Sequence, residues 1–143
     1  MGGLLPVFVY GTLRRGQGNH GLLAGRTVEE ILAVAPDHAL FSPGLPYVAD
    51  RAGFEVVGEL MVLDPGSYYS TLDRLDRLEG YRPGGGRTNH YDREACPVRH
   101  QAADGRWHTT VAWIYHAGSR AVRDLHDEDL VPGGDWVGRR SAA

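Results

Sequence analysis

Only one stretch of this chain, Ser67 to Leu78, reads as a firm helix. The residues on either side break into short strand-like runs separated by glycine and proline. Ser67 stands at a natural N-cap position, the interior is rich in Leu and Arg, and Gly80 falls where a left-handed residue ends a helix. Leu5 to Tyr10 is a nearly all-apolar run closed by Gly11, which suits a buried strand. Further strand-like runs cover Glu30 to Leu40, Glu55 to Leu63, Tyr91 to His100 and Trp107 to His116, the last two around an Asp104-Gly105 hairpin signal. Arg120 to Asp129 reads as a second, short helix, Gly11 to Gly25 as a long loop, and Arg82 to His90 as a flexible glycine-rich connection. One firm helix among strands of hairpin style predicts an α+β fold with antiparallel pairing, and not a βαβ fold.

Composition narrows the chemistry more than the fold. The 143 residues suit one domain, expected over residues 1–143, that buries about two-thirds of its unfolded surface. All 15 basic residues are arginine, so neither a Schiff-base lysine nor a phosphate-loop lysine is available. The lone Cys96 cannot close an internal disulfide, and its position in a strand-like run suits a small core residue better than an activated thiolate. A net charge of −3 gives no general basic field for nucleic acid. No apolar run is long enough to span a membrane as a helix. The apolar start lacks the basic lead-in and small-residue cleavage site of an export signal, so a cytoplasmic location is expected.

Several motifs fail on context. Gly16-Gln17-Gly18-Asn19-His20-Gly21 has dinucleotide-loop spacing, but the preceding strand ends several residues early and Gly25 interrupts any helix. The seven histidines show no H-x-x-x-H or H-x-x-E pairing, so they read as scattered surface or core residues, with no metal or other cofactor expected. Arg14, Arg15, Arg74, Arg77 and Arg87 could in principle contact nucleic acid. Arginines beside Asp73 and Asp76 more often form a solvated, salt-bridged face, so no nucleic-acid partner is expected.

The helix itself carries the informative residue. At 100° per residue, Tyr68, Leu72 and Leu75 fall within about 60° of one another and form the core stripe. Glu79, seven residues after Leu72, returns to within about 20° of its azimuth, while Arg74 and Arg77 point away. Two readings follow. Glu79 either escapes to water at a frayed helix end or faces an apolar cavity, where desolvation and the helix C-terminus raise its pKa toward that of a general base. The Tyr10-Gly11-Thr12-Leu13 turn likewise reads either as a tight turn or as a row of backbone N–H groups able to hold an anion.

Val7-Phe8-Val9-Tyr10-Gly11-Thr12-Leu13-Arg14-Arg15-Gly16, with Asn19 beyond it, resembles the opening signature of the γ-glutamylcyclotransferase-like (AIG2-like) proteins. Val57-Gly58-Glu59-Leu60, Leu75-Asp76-Arg77-Leu78-Glu79-Gly80-Tyr81, Tyr91-Asp92-Arg93, Trp113-Ile114-Tyr115 and Gly134-Asp135-Trp136 follow in the family's order. The resemblance implies a small mixed β-barrel with flanking helices and a cavity at one end. It implies that Gly11, Thr12 and Leu13 hold the carboxylate end of a γ-glutamyl small molecule between Tyr10 and Tyr115, that Glu79 is catalytic, and that 5-oxoproline is released without a metal or cofactor. The alternative is a non-catalytic binding protein that keeps the same fold and cavity. Oligomeric state is not readable.

Overall fold

The computed structural model describes residues 4–138. Five strands, β1 (Val7–Val9), β2 (Thr27–Phe41), β3 (Tyr47–Leu63), β4 (Tyr91–Gln101) and β5 (Trp107–Ala117), close into a barrel in the order β1-β3-β2-β4-β5. The helices are α1 (Tyr68–Glu79) and α2 (Ser119–Arg123). This is the mixed barrel with few helices that the resemblance implies. One ladder departs from the antiparallel expectation: β1 runs parallel to β5 through Val7↔Trp113 and Phe8↔Ile114, and this pairing closes the barrel.

β1 is apolar throughout because both of its faces are covered. Phe8 points into the barrel with Leu40, Val56, Leu60 and Ile114. Val7 and Val9 point outward beneath α1, against Met61, Tyr68, Leu72 and Leu75. The stripe deduced from the helical wheel is therefore the buried stripe, and Arg74 and Arg77 are exposed as expected. Ser67 occupies the N-cap position of α1 without a side-chain bond. The turn before it, Pro65–Ser67, is capped by the Asp64 carboxylate accepting from the Gly66 N–H.

β2 and β3 are longer than their sequence patterns. They form one hairpin from Thr27↔Leu63 to Phe41↔Tyr47. A bulge between Pro36 and His38 interrupts the alternation: Asp37 takes φ 57°, and its carboxylate accepts from the Gly53 N–H at 3.1 Å. A proline, which has no N–H to give the ladder, is absorbed at such an irregularity. The helix expected over Arg120 to Asp129 ends at Arg123. At His126 the chain is extended, and the Asp129 carboxylate accepts its N–H to start a separate 3-10 turn. The connection after α1 is pinned rather than flexible: buried Asn89 accepts from the Arg82 N–H and donates to the Arg82 carbonyl and to Asp92, each at 3.0 Å.

Candidate functional site

α1 ends in a fixed geometry. The Gly80 N–H donates to the Arg77 carbonyl and the Tyr81 N–H to the Asp76 carbonyl, with Gly80 at φ 64°. These two bonds define a Schellman stop, which costs a residue with a Cβ its left-handed conformation but costs glycine little. Glu79 is therefore the last helical residue, held and not frayed. It lines a cavity of about 190 Å³ together with Tyr10, Gly11, Thr12, Leu13 and Tyr115, so the structure brings together every sequence-nominated site residue. Leu45 and Leu78 add a partly exposed apolar rim, and His90 and Tyr91 complete the lining.

The Glu79 carboxylate has no hydrogen bond or ion pair among the described residues. Desolvation raises its pKa from 4.5 to about 7. A buried acid without a cation or donor holds its proton more tightly because the charged form loses hydration and gains nothing in return. The carboxyl is thus poised to exchange a proton near neutral pH.

The Gly11–Leu13 turn lines the same cavity. A Cβ at Gly11 would lie 2.5 Å from Cγ of Pro46, so only glycine lets the turn approach this wall. The N–H groups of Gly11, Thr12 and Leu13 find no acceptor among the described residues. The turn is held from behind. Buried Arg14 donates from Nε to Glu59 at 3.0 Å and from Nη1 to Asp135 at 2.7 Å, and the Arg15 N–H donates to Glu59 at 2.7 Å. The Asn19 amide donates to the Thr12 hydroxyl at 2.9 Å. Arg14 is consequently an internal strut, not a surface cation awaiting a phosphate. Arg77 is tied to Asp73 at 2.9 Å on the exposed helix face.

The tyrosine hydroxyls already have work. Tyr10 donates to the Tyr115 carbonyl at 2.6 Å, Tyr91 to the Pro46 carbonyl at 2.8 Å, and Tyr115 to Asp76 at 2.7 Å. Burial comes first among the causes that push all three phenols up, with the charge of Glu79 contributing to each. Asp76 corrects the sequence reading. It does not share the solvated face with Asp73. It is half-buried and also accepts from Arg93 at 2.9 and 3.3 Å, while the Arg93 guanidinium stacks 4.3 Å over Trp113. The wall behind the pocket therefore rests on a helix–strand network that no local spacing reveals.

Cys96 is half-buried beside the barrel core, and burial pushes its thiol up to about 11, the opposite of an activated nucleophile. The histidines are less scattered than expected. His38 and His116 are both buried, their Nε2 atoms are 2.9 Å apart, and Cys96 Sγ lies 3.9 Å from that of His116. Their sequence separation hides this cluster, and none of its members lines the pocket. The Gly16–Gly21 motif forms turns leading into a 3-10 turn at His20–Leu23, with no strand directly before it and no α-helix after it.

Comparison with known proteins agrees with this architecture. Residues 7–138 match the family described as "Gamma-glutamyl cyclotransferase, AIG2-like". A curated Vibrio cholerae protein, provisionally named a gamma-glutamylcyclotransferase, is 29% identical over 133 residues, covering 93% of this chain and 96% of its own. Among solved structures, an AIG2-like protein from Mus musculus superposes with TM-score 0.57 at 20% identity, over 92% of this chain and 94% of the mouse chain. YkqA from Bacillus subtilis superposes with TM-score 0.65 at 24% identity over 96% of this chain, which spans only 41% of the Bacillus protein. An uncharacterised Pyrococcus horikoshii protein gives 0.60 at 22%, over 96% of this chain and 94% of its own. These structural likenesses concern the fold.

Proposed function

The chain belongs to the γ-glutamyl cyclotransferase, AIG2-like family, and from that premise we propose that it converts a γ-glutamyl amine or γ-glutamyl amino acid into 5-oxoproline and the free amine. The observation that carries the reading is Glu79: a carboxylate without a partner among the described residues, its pKa raised to about 7, lining a small cavity together with a turn whose backbone N–H groups meet no acceptor among those residues.

A γ-glutamyl amide contains its own nucleophile. The α-amine closes a five-membered ring on the γ-carbonyl carbon, so the new N–C bond forms within one molecule while the γ-amide C–N bond breaks. Holding the chain in the folded conformation supplies much of the rate, because an intramolecular attack needs positioning more than activation. The α-ammonium must first lose a proton. Glu79, ionised in a useful fraction near neutral pH, takes it and passes it to the departing nitrogen. The second proton that the ring nitrogen sheds as the lactam forms ends on the released amine, which leaves as an ammonium. The tyrosine hydroxyl protons are already committed to Tyr115 O, Pro46 O and Asp76. The N–H groups of Gly11, Thr12 and Leu13, which meet no acceptor among the described residues, are then donors that can serve the substrate carboxylate and the developing oxyanion. With Arg14 locking the turn to Glu59 and Asp135, these donors need little rearrangement to act.

The test is incubation of the purified chain with a panel of γ-glutamyl amines and γ-glutamyl amino acids, scored for 5-oxoproline by mass spectrometry. Wild-type protein is expected to release 5-oxoproline from at least one, and Glu79→Gln to release it from the same compound at least a hundredfold more slowly. Near-normal turnover by Glu79→Gln would refute the mechanism. Tight binding of a γ-glutamyl compound without 5-oxoproline would leave a binding protein in its place.

A further inference from the structure

The cluster of His38, Cys96 and His116 lies outside the cyclotransferase pocket, and its hydrogen bonding leaves a gap that a cation would fill. The Nδ1 of His38 lies 2.7 Å from the Pro36 carbonyl, an acceptor, so this nitrogen carries the proton. The Nδ1 of His116 lies 3.3 Å from the Ile114 carbonyl and 3.3 Å from the Glu94 carboxylate, so it too carries the proton. In the neutral rings both Nε2 atoms then present lone pairs, and these face each other at 2.9 Å. Two acceptors at that distance repel unless something positive lies between them. An Nδ1–H fixed by a carbonyl or carboxylate is also the usual outer support of a metal-bound histidine.

The other donors converge on the same point. Asp50 Oδ1 lies 3.3 Å from His38 Nε2 and 3.5 Å from His116 Nε2, reaching in from an exposed position. Cys96 Sγ lies 3.9 Å from His116 Nε2, and the ligand atoms of His38, Cys96 and His116 all fall within 4.8 Å of one another. Tetrahedral zinc, with bonds of about 2.0–2.1 Å to nitrogen and oxygen and about 2.3 Å to sulfur, requires about 3.3 Å between N or O ligands and about 3.6 Å between N and S. The Asp50–histidine distances already match. The two Nε2 atoms must part by a few tenths of an ångström, and the Cys96 side chain must swing toward His38, the ligand atoms of the three residues now lying within 4.8 Å of one another. A Cys thiolate and an Asp carboxylate would neutralise a dication in a site whose two histidines are almost wholly buried.

We propose that His38, Cys96, His116 and Asp50 form a structural site for a borderline-soft divalent cation, Zn²⁺ in the first instance. The four ligands come from β2, β4, β5 and β3 respectively. The β2–β4 ladder consists of Ala33↔His100 and Val34↔Arg99, and His38 and Cys96 lie beyond it, where the two strands are no longer paired. The bulge at Pro36–His38 gives His38 its place at that seam. A bound cation would clamp strands that backbone hydrogen bonds leave apart. Binding forms one bond to each ligand and releases the Cys96 thiol proton to solvent.

The test uses the full chain, stripped with a chelator and then titrated with Zn²⁺ or Co²⁺ alone. One equivalent per chain is expected to bind, raising the melting temperature, and Co²⁺ should give a thiolate charge-transfer band with intense tetrahedral d–d absorption. Cys96→Ser is expected to abolish that band, and both Cys96→Ser and Asp50→Asn to weaken Zn²⁺ at least tenfold. Asp50 is exposed, so its variant checks the site even if substitutions at the buried histidines impair folding. Failure of the wild-type chain to bind either ion, or equal binding by wild type and Cys96→Ser, would overturn the site and leave His38 and His116 as a proton-sharing pair. None of these readouts depends on 5-oxoproline release, so this site and the cyclotransferase reading stand or fall separately.

Discussion

Two glutamates flank the same turn and meet opposite fates. Glu59, only 9% exposed, accepts from Arg14 and from the Arg15 N–H behind the Gly11–Leu13 segment. Glu79, in front of it, accepts nothing among the described residues and has its pKa lifted to about 7. Both carboxylates have left bulk water, so burial does not separate them. The partner does: a cation and an N–H turn one acid into an anchor, and their absence leaves the other able to trade a proton. The rigid side of the turn keeps the reactive side in register.

The sharpest way to break the contrast is kinetic. Removing the proton-carrying carboxyl in Glu79→Gln should lower 5-oxoproline release by 10²- to 10⁴-fold, the usual range for a positioned acid–base group. In wild type, kcat/KM should fall below an inflection near pH 7 as Glu79 becomes protonated, and that limb should vanish in any residual activity of the variant. Both are read from initial rates across pH.

Next comes the anchor. Arg14→Ala leaves Glu59 buried without its cation and should cost about 3–5 kcal/mol, measured by chemical denaturation. A loss below about 1 kcal/mol would mean that the cluster is not what holds the turn.

A third experiment reads Glu79 through stability. Its folded-state pKa lies above its ordinary value, so the native state binds the proton more tightly than the unfolded chain. Wild-type stability should therefore decline as pH rises from about 4.5 to about 7 and stay reduced above that window. Glu79→Gln escapes this penalty, so it should match wild type near pH 4 and exceed it by up to about 3 kcal/mol at pH 9. Paired urea titrations at the two pH values decide it, and a variant weaker than wild type at pH 9 would count against an unpartnered acid. The smallest effect belongs to the solvated face. Arg77→Ala breaks only an exposed pair with Asp73 and should move stability by no more than about 0.5 kcal/mol in the same assay.

The legible parts of this protein share one property: their causes are local. Helical periodicity placed Glu79 on the Tyr68–Leu75 stripe, Gly80 announced the stop, and the Asp104-Gly105 pair announced the β4–β5 hairpin, where Gly105 takes φ 86°. The two-sided burial of β1 was legible as an unbroken apolar run. The misread parts depend on distant partners. Asp76 looked like a surface acid until β4 brought Arg93 and β5 brought Tyr115 to it. The 82–90 loop looked flexible because its glycines are visible in sequence, whereas the Asn89 bonds that pin it are not. β2 and β3 outrun their sequence patterns because pairing with each other carries both strands past the residues where alternation is visible.

By itself, the sequence determined the helix that delivers the carboxylate, the glycine turn that closes the first strand, and the absence of lysine that removes a Schiff-base lysine. Tertiary structure alone decided which acids are partnered and which histidines meet. Whether a buried group is neutralised depends on what the closed barrel packs against it. In His38 and His116 it joins residues 78 positions apart, a proximity created by strand order, register and one bulge, and not by spacing along the chain.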